Sequence, residues 1–150
     1  MIIRDGRPDE RNALEDLQRR ASLMWDEYRP FLLANPDAIA LPLDQLRNGC
    51  VRVADAGAPL GFAVLLAKGK VAELDGLFVE PAQWGRGVGR ALMQDATARA
   101  RAGGARVLET TANPRAEDFY ARLGFAVGAM VRTPFGPANR MRLQLFPPQT

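Results

Sequence analysis

Gly85, Gly87 and Gly89 alternate along a stretch that follows the apolar Leu77-Phe78-Val79 and runs directly into Val88, Leu92, Ala96 and Ala100, an apolar stripe at i+4 spacing. That stripe predicts a helix, with Gly103-Gly104 as its stop. Glycines ahead of a helix let the backbone approach a ligand closely, and the first amides of the helix have no acceptor within it. Those donors and the positive end of the helix dipole suit a phosphate or pyrophosphate. Arg86 and Arg90 add cationic charge beside them. The candidate anion-binding segment is therefore the glycine loop and helix start, Gly85 through Val88 and Gly89 to Ala91.

Spacing separates the kinds of phosphate ligand. A dinucleotide fingerprint needs G-x-G-x-x-G or a terminal alanine, but the last position is Arg90 counting from Gly85 and Leu92 counting from Gly87. Glu109, 20 residues after Gly89, is the one feature that favours a ribose-binding acid. A nucleotide P-loop is excluded because no Gly-Lys-Ser/Thr follows. Residue types exclude more. The chain has no histidine and one cysteine, Cys50, so Ser-His-Asp and Cys-His nucleophile systems lack their base and Cys/His zinc sites their ligands. No intramolecular disulfide can form, and Cys50 at the start of an apolar run is expected to be a buried small hydrophobe.

Glu73 and Asp75 stand two apart in an extended run, and so share a strand face with Leu77 and Val79. Carboxylates on an otherwise apolar face suit general-base work. Gly76, just after them, either forms a bulge that re-aims one of the two or spares a clash with an opposing side chain. Tyr120 lies with Ala116, Phe119 and Leu123 on an apolar helix face, where packing alone would explain an aromatic residue.

These residues need elements to hold them. Met1 to Arg4 is a strand candidate, Pro8-Asp9-Glu10 opens a helix carrying Leu14 and Leu17, and a second helix is expected from Trp25 to Ala34, stopping before Pro36. The segment 38–48 is ambiguous. Three extended runs follow with short turns, Cys50–Ala54, Leu60–Ala67 and Val71–Val79, which imply an antiparallel meander. Beyond the glycine segment and its helix, Arg106–Thr110 reads as a strand. Asn113-Pro114 caps and starts another helix, ended by Gly124. Ala126–Val131 and Arg140–Leu145 are strands around Pro134-Phe135-Gly136-Pro137. The predicted fold is α/β, a mixed and mostly antiparallel central sheet flanked by helices in the order βααβββαβαββ. A single domain over 1–150 is expected, since 47% hydrophobic and 25% charged residues without low-complexity linkers describe one globular unit. A net charge of +3 is too mild to point to nucleic acid. The absence of a long apolar run or leader points away from a membrane and toward the cytoplasm.

Two blocks together resemble the GNAT (Gcn5-related) N-acetyltransferase family. Trp84-Gly85-Arg86-Gly87-Val88-Gly89 is similar to its Gln/Arg-x-x-Gly-x-Gly/Ala motif, with Trp84 at the usual Gln/Arg position. Asn113-Pro114-Arg115-Ala116-Glu117-Asp118-Phe119-Tyr120-Ala121-Arg122-Leu123-Gly124-Phe125 resembles its Asn-x-x-Ala-x-x-Phe-Tyr-x-x-x-Gly-Phe block. The resemblance implies acetyl-CoA as cosubstrate, no metal, and acetyl transfer to a primary amine by direct attack, with a small-molecule amine favoured and a protein amine open. It implies Tyr120 as proton donor to the CoA sulfur, Asp75 or Glu73 as the base, Asn113 near the cofactor, a splayed strand at Leu77, Phe78 and Val79 whose free amides hold the pantetheine arm, and Trp84 beside the cofactor. It places the acceptor between the first helices and the last hairpin, at Met24, Trp25 and Tyr28 with Phe135, Asn139 and Arg140. Trp25 and Tyr28, three apart on the expected helix, also fit a core role. A homodimer through the C-terminal strands is expected from the resemblance alone. Two other classes stand beside this reading, a non-catalytic acyl-CoA-binding sensor and a nucleotide-binding module.

Overall fold

The structure, a computed structural model, describes Met1–Phe146. Its elements run β1 (Ile2–Asp5), α1 (Arg11–Leu23), α2 (Arg29–Ala34), α3 (Leu43–Arg47), β2 (Val51–Asp55), β3 (Pro59–Lys68), β4 (Val71–Val79), α4 (Val88–Ala102), β5 (Val107–Ala112), α5 (Glu117–Arg122), β6 (Ala126–Thr133) and β7 (Gly136–Gln144). The strands join one sheet in the order β1-β2-β3-β4-β5-β7-β6. Pairing is antiparallel for β1–β2, β2–β3, β5–β7 and β6–β7, and parallel for β4–β5. The parallel pair follows from chain order, because a strand that returns through a helix such as α4 reaches its neighbour in the same direction.

The expected strand and helix order holds with one addition, α3, inside the stretch that sequence leaves ambiguous. A five-residue helix that buries one side chain, Leu46, is too short to show a period. The second helix starts at Arg29 rather than Trp25. Pro30 explains this, since a proline ring is accommodated in a first helical turn and clashes with the carbonyl four residues back in any later one. Trp25 and Tyr28 therefore stand in turns between α1 and α2, not on a helix face. Asn113-Pro114 opens a turn, and α5 begins three residues after the proline. β6 and β7 lengthen toward a two-residue connection, Pro134-Phe135, in which the Thr133 hydroxyl donates to the Gly136 carbonyl.

Among the described residues the backbone groups into two compact units, Met1–Val64 with Gly76–Ala96, and Leu65–Asp75 with 97–146. The first packs Leu14, Leu17, Val51, Val53, Phe62 and Leu92, all at most 1% exposed. Leu14, Leu17 and Ala21 recur at helical spacing, which is why α1 presents one continuous apolar stripe. Its N-terminal strand is fastened electrostatically. Arg4 donates to both carboxylate oxygens of Glu10 at 2.8 Å and to Asp55 at 2.9 Å. The guanidinium holds the Glu10 carboxyl below the ordinary carboxylate range, although burial acts in the opposite direction. The second unit packs Leu74, Leu108, Ala112, Tyr120, Phe125 and Met141. Cys50 is half-buried rather than buried, just past α3 where its amide bonds the Gln45 carbonyl. Among the described residues no helix is long and apolar enough to cross a membrane.

Candidate active site

The register between β4 and β5 runs from Val71 opposite Val107 to Leu74 opposite Thr110, yet β4 continues to Val79. Past Leu74 the strand's polar backbone groups on that side are available to a partner other than β5. Gly76 lies in this continuation. Its φ is not left-handed, and a Cβ there would stand 2.6 Å from the Phe78 ring. The clash that glycine spares here is with a side chain two residues on in the same strand, not with an opposing one. The Phe78 ring in turn lies 5.3 Å from that of Phe62.

Gly61 on β3 is a site residue that sequence reasoning passes over. A Cβ at Gly61 would meet the Phe78 carbonyl oxygen at 2.7 Å and the Val79 Cα at 3.3 Å. Only glycine lets β4 run this close. The sole signal available beforehand is a glycine inside an apolar strand run.

The glycine segment is built from two unlike kinds of glycine. Gly85 and Gly87 have φ of 78° and 85°, a region costing other residues about 1–2 kcal/mol. Gly89 sits in the first turn of α4 and has no such φ. The Ala91 amide donates to the Gly87 carbonyl at 3.0 Å, so Gly87 is the helix cap. The amides of Gly87, Val88, Gly89 and Arg90 consequently have no acceptor within the helix. Space above the turn is open, since a Cβ at Gly85 or Gly87 would find nothing within 4 Å. Val88 is buried and anchors the helix start, while Arg86 and Arg90 are exposed. Unpaired amides, open space and two exposed guanidinium groups fit a phosphate-bearing ligand.

Trp84 is fixed at the entry to this loop by two contacts. Its indole N–H donates to the Val79 carbonyl at 2.8 Å, and its ring stacks on Trp25 with centroids 5.3 Å apart and planes 26° from parallel. One turn earlier, Glu80 receives two bonds of 2.7 Å from Arg20. That guanidinium holds the Glu80 carboxyl below its ordinary range.

In the second unit, Glu73 and Glu109 are directly opposite one another across the parallel β4–β5 pair. Like charges so placed repel, and Arg140 on β7 lies over both. Its guanidinium reaches Glu73 at 2.9 and 3.0 Å, Glu109 at 3.3 Å and the Thr111 hydroxyl at 2.8 Å. Glu73 is thus an engaged carboxylate, whereas Asp75 is exposed. Arg140, placed by sequence at the acceptor, is occupied by these acids. Asn139 is likewise occupied, by Glu117.

Tyr120 is 7% exposed, with its ring edge-on to Phe119 and Phe125 at 5.3 Å each. Burial pushes its phenol up to about 12, against a smaller opposing effect from its hydrogen bond with Thr110. The Thr110 hydroxyl donates to the Leu74 carbonyl at 2.9 Å. Tyr120 is therefore tied through Thr110 to the last residue pair of the β4–β5 register. Thr110 is a second residue missed from sequence, where a threonine in a strand carries no signal. The Asn113 side-chain oxygen accepts from the amides of Arg115 and Ala116 at 2.9 Å each. Its turn-capping role is thereby filled. Among the described residues no group of three or more His, Cys, Asp or Glu side chains is placed to hold a metal ion.

A strand continuing past its parallel partner, followed by a glycine turn and a helix N-terminus with open amides, defines an α/β protein with a site suited to a phosphate-bearing ligand. Residues 12–125 match the model of the acetyltransferase (GNAT) family, and the chain belongs to that family. It is 36% identical over 86 residues to an uncharacterised N-acetyltransferase of Methanocaldococcus jannaschii, a match spanning 51% of this chain and 38% of that protein. The fold is also that of an aminoglycoside 6'-N-acetyltransferase complexed with coenzyme A, at a TM-score of 0.79 and 17% identity with both chains covered in full. A PaiA N-acetyltransferase from Thermoplasma acidophilum in complex with coenzyme A superposes at a TM-score of 0.76 and 18% identity, covering 95% of this chain and 98% of the other.

Proposed function

We propose that the protein transfers an acetyl group from acetyl-CoA to a primary amine. The observation that carries this reading is the start of α4, where two left-handed glycines present the amides of Gly87 to Arg90 without helical acceptors. Acetyl-CoA supplies an acetyl thioester and, in its pyrophosphate, the anion these donors suit. Leu77, Phe78 and Val79, on the part of β4 past the β5 register, offer backbone groups to an extended pantetheine arm. Arg86 and Arg90 add charge at the phosphates. Asn113 remains a candidate cofactor neighbour through its turn rather than its side-chain oxygen.

Direct attack requires a neutral amine and a proton for the leaving sulfur. Asp75 takes the amine proton, directly or through water. It is preferred to Glu73 because Arg140 already occupies the Glu73 carboxylate. Tyr120 keeps its proton across the neutral range, since burial raises the phenol, and so remains a donor there. Trp25 and Tyr28 contribute to the acceptor side. A small-molecule amine is the first candidate acceptor and a protein amine the second.

Thermal stability with acetyl-CoA, free CoA, NAD and ATP tests the cofactor, because a ligand held only by the native state raises stability by RT ln(1 + [L]/Kd). Stabilisation by the two CoA compounds alone is the expected result, and stabilisation by NAD instead would remove the transferase reading. Tyr120→Phe then separates an enzyme from an acyl-CoA sensor. Turnover should fall with CoA binding kept.

A further inference from the structure

The glycine turn has little packing of its own. Gly85 and Gly87 border open space, and neither has a side chain to hold its position. Downstream the turn is anchored by buried Val88. Upstream, the residue next to it is Trp84, which is fixed twice, through its indole N–H to the Val79 carbonyl and through its ring on Trp25. The Arg20–Glu80 pair fastens the same loop to α1 a few residues earlier, with the Glu80 amide also donating to the Leu60 carbonyl at 2.8 Å.

We infer that Trp84, stacked on Trp25, is a positioning residue for the cofactor loop, a role that rests on acetyl-CoA binding at the Gly85–Arg90 turn. Trp84 is 39% exposed, so filling a core is a minor part of what it does. Its two contacts restrict where Gly85 can begin, and hence where the amides of Gly87 to Arg90 point. Without them a glycine-rich turn samples many conformations, and ligand binding must order it. The loss appears in affinity for the cofactor and not in the chemical step. The stack also links the segment between α1 and α2 to the loop, so a ligand that moves the turn alters the tryptophan pair.

Trp25 and Trp84 are the only tryptophans in the chain, so intrinsic emission reports directly on the pair. In the wild type, titration with acetyl-CoA should change the emission in step with binding measured by calorimetry. Trp84→Ala should weaken acetyl-CoA binding roughly tenfold and raise its KM in parallel, with kcat within about twofold. Trp84→Phe keeps a ring for stacking but loses the donor, and should fall between the two. Should Trp84→Ala fold poorly, Trp84→Phe and Trp25→Phe carry the same test. Affinities unchanged in all three variants, with only the melting temperature lowered, would leave Trp84 as packing and sink the inference. Gly87→Val is measured in parallel to separate this failure from a deeper one. If Gly87→Val weakens binding while the tryptophan variants do not, only the positioning role is lost. If Gly87→Val also leaves affinity untouched, the turn is not the cofactor site and both readings fall.

Discussion

The glycine loop and the β4–β5–β7 face with α5 are built for different work. The loop offers backbone amides to the proposed cofactor, and its nearby side chains, Trp84 and Glu80, are spent on other parts of the protein. The second region is organised through side chains, with Arg140 over two carboxylates and Tyr120 tied through Thr110 to the end of a strand register. Backbone donors tolerate exchange of the side chains around them so long as the conformation survives. Proton chemistry does not, because one hydroxyl or one carboxylate carries it. The replacement of the family's Gln or Arg by Trp84 falls in the tolerant region.

Substitutions in the two regions should therefore separate into turnover defects and binding or stability defects. The largest effect is expected for Tyr120→Phe, about a hundredfold loss in kcat if the phenol is the general acid, with CoA affinity unchanged in calorimetry. An equal loss in CoA binding would erase the distinction between the regions. Next is Gly61→Val, whose Cβ would press on the Phe78 carbonyl from 2.7 Å. Forcing β4 aside should cost about 2 kcal/mol in denaturant unfolding and weaken CoA binding together. A full-strength CoA complex in that variant would show that β4's position is not part of the binding geometry.

Glu73→Gln sharpens the assignment of the base. Removing one charge from Arg140 should destabilise the protein by about 1 kcal/mol, with the loss reduced at high salt, while Asp75→Asn should abolish most turnover. A greater turnover loss in Glu73→Gln than in Asp75→Asn would reverse their roles. The smallest effects come from pH. Because burial raises the Tyr120 phenol to about 12, its contribution to stability is complete below about pH 10 and is lost between there and pH 12, as the unfolded chain ionises first. Glu10 and Glu80 act in the opposite sense. Their arginine partners hold them below the ordinary carboxylate range, so their contribution is present above about pH 4.5 and declines as pH falls through their folded values. A melting temperature flat from pH 2 to 4.5 would show that neither ion pair contributes.

Much of this molecule follows from local sequence. The stripe Val88, Leu92, Ala96 and Ala100 specifies α4, since four apolar side chains at i+4 have one buried arrangement, and 3% or less exposure at the first three with 4% at the last accords with it. Alternate glycines ahead of that stripe, together with the Asn113–Phe125 block, suffice to recognise the family. The limits of α2 and α5 are harder to see because proline admits a helix at more than one offset, and tertiary contacts choose among them. Which carboxylate is free was also invisible. Glu73 and Asp75 are equivalent in sequence, and only the arrival of β7 beside β5 brings Arg140 over Glu73 and leaves Asp75 exposed. The need for glycine at 61, the partnership of Trp84 with Trp25, and the tie from Tyr120 to Thr110 arise between residues 17, 59 and 10 positions apart along the chain. Periodicity and motifs record what neighbouring residues require of each other. Contacts across strands and loops depend on the register of the whole sheet, and only the tertiary structure sets it.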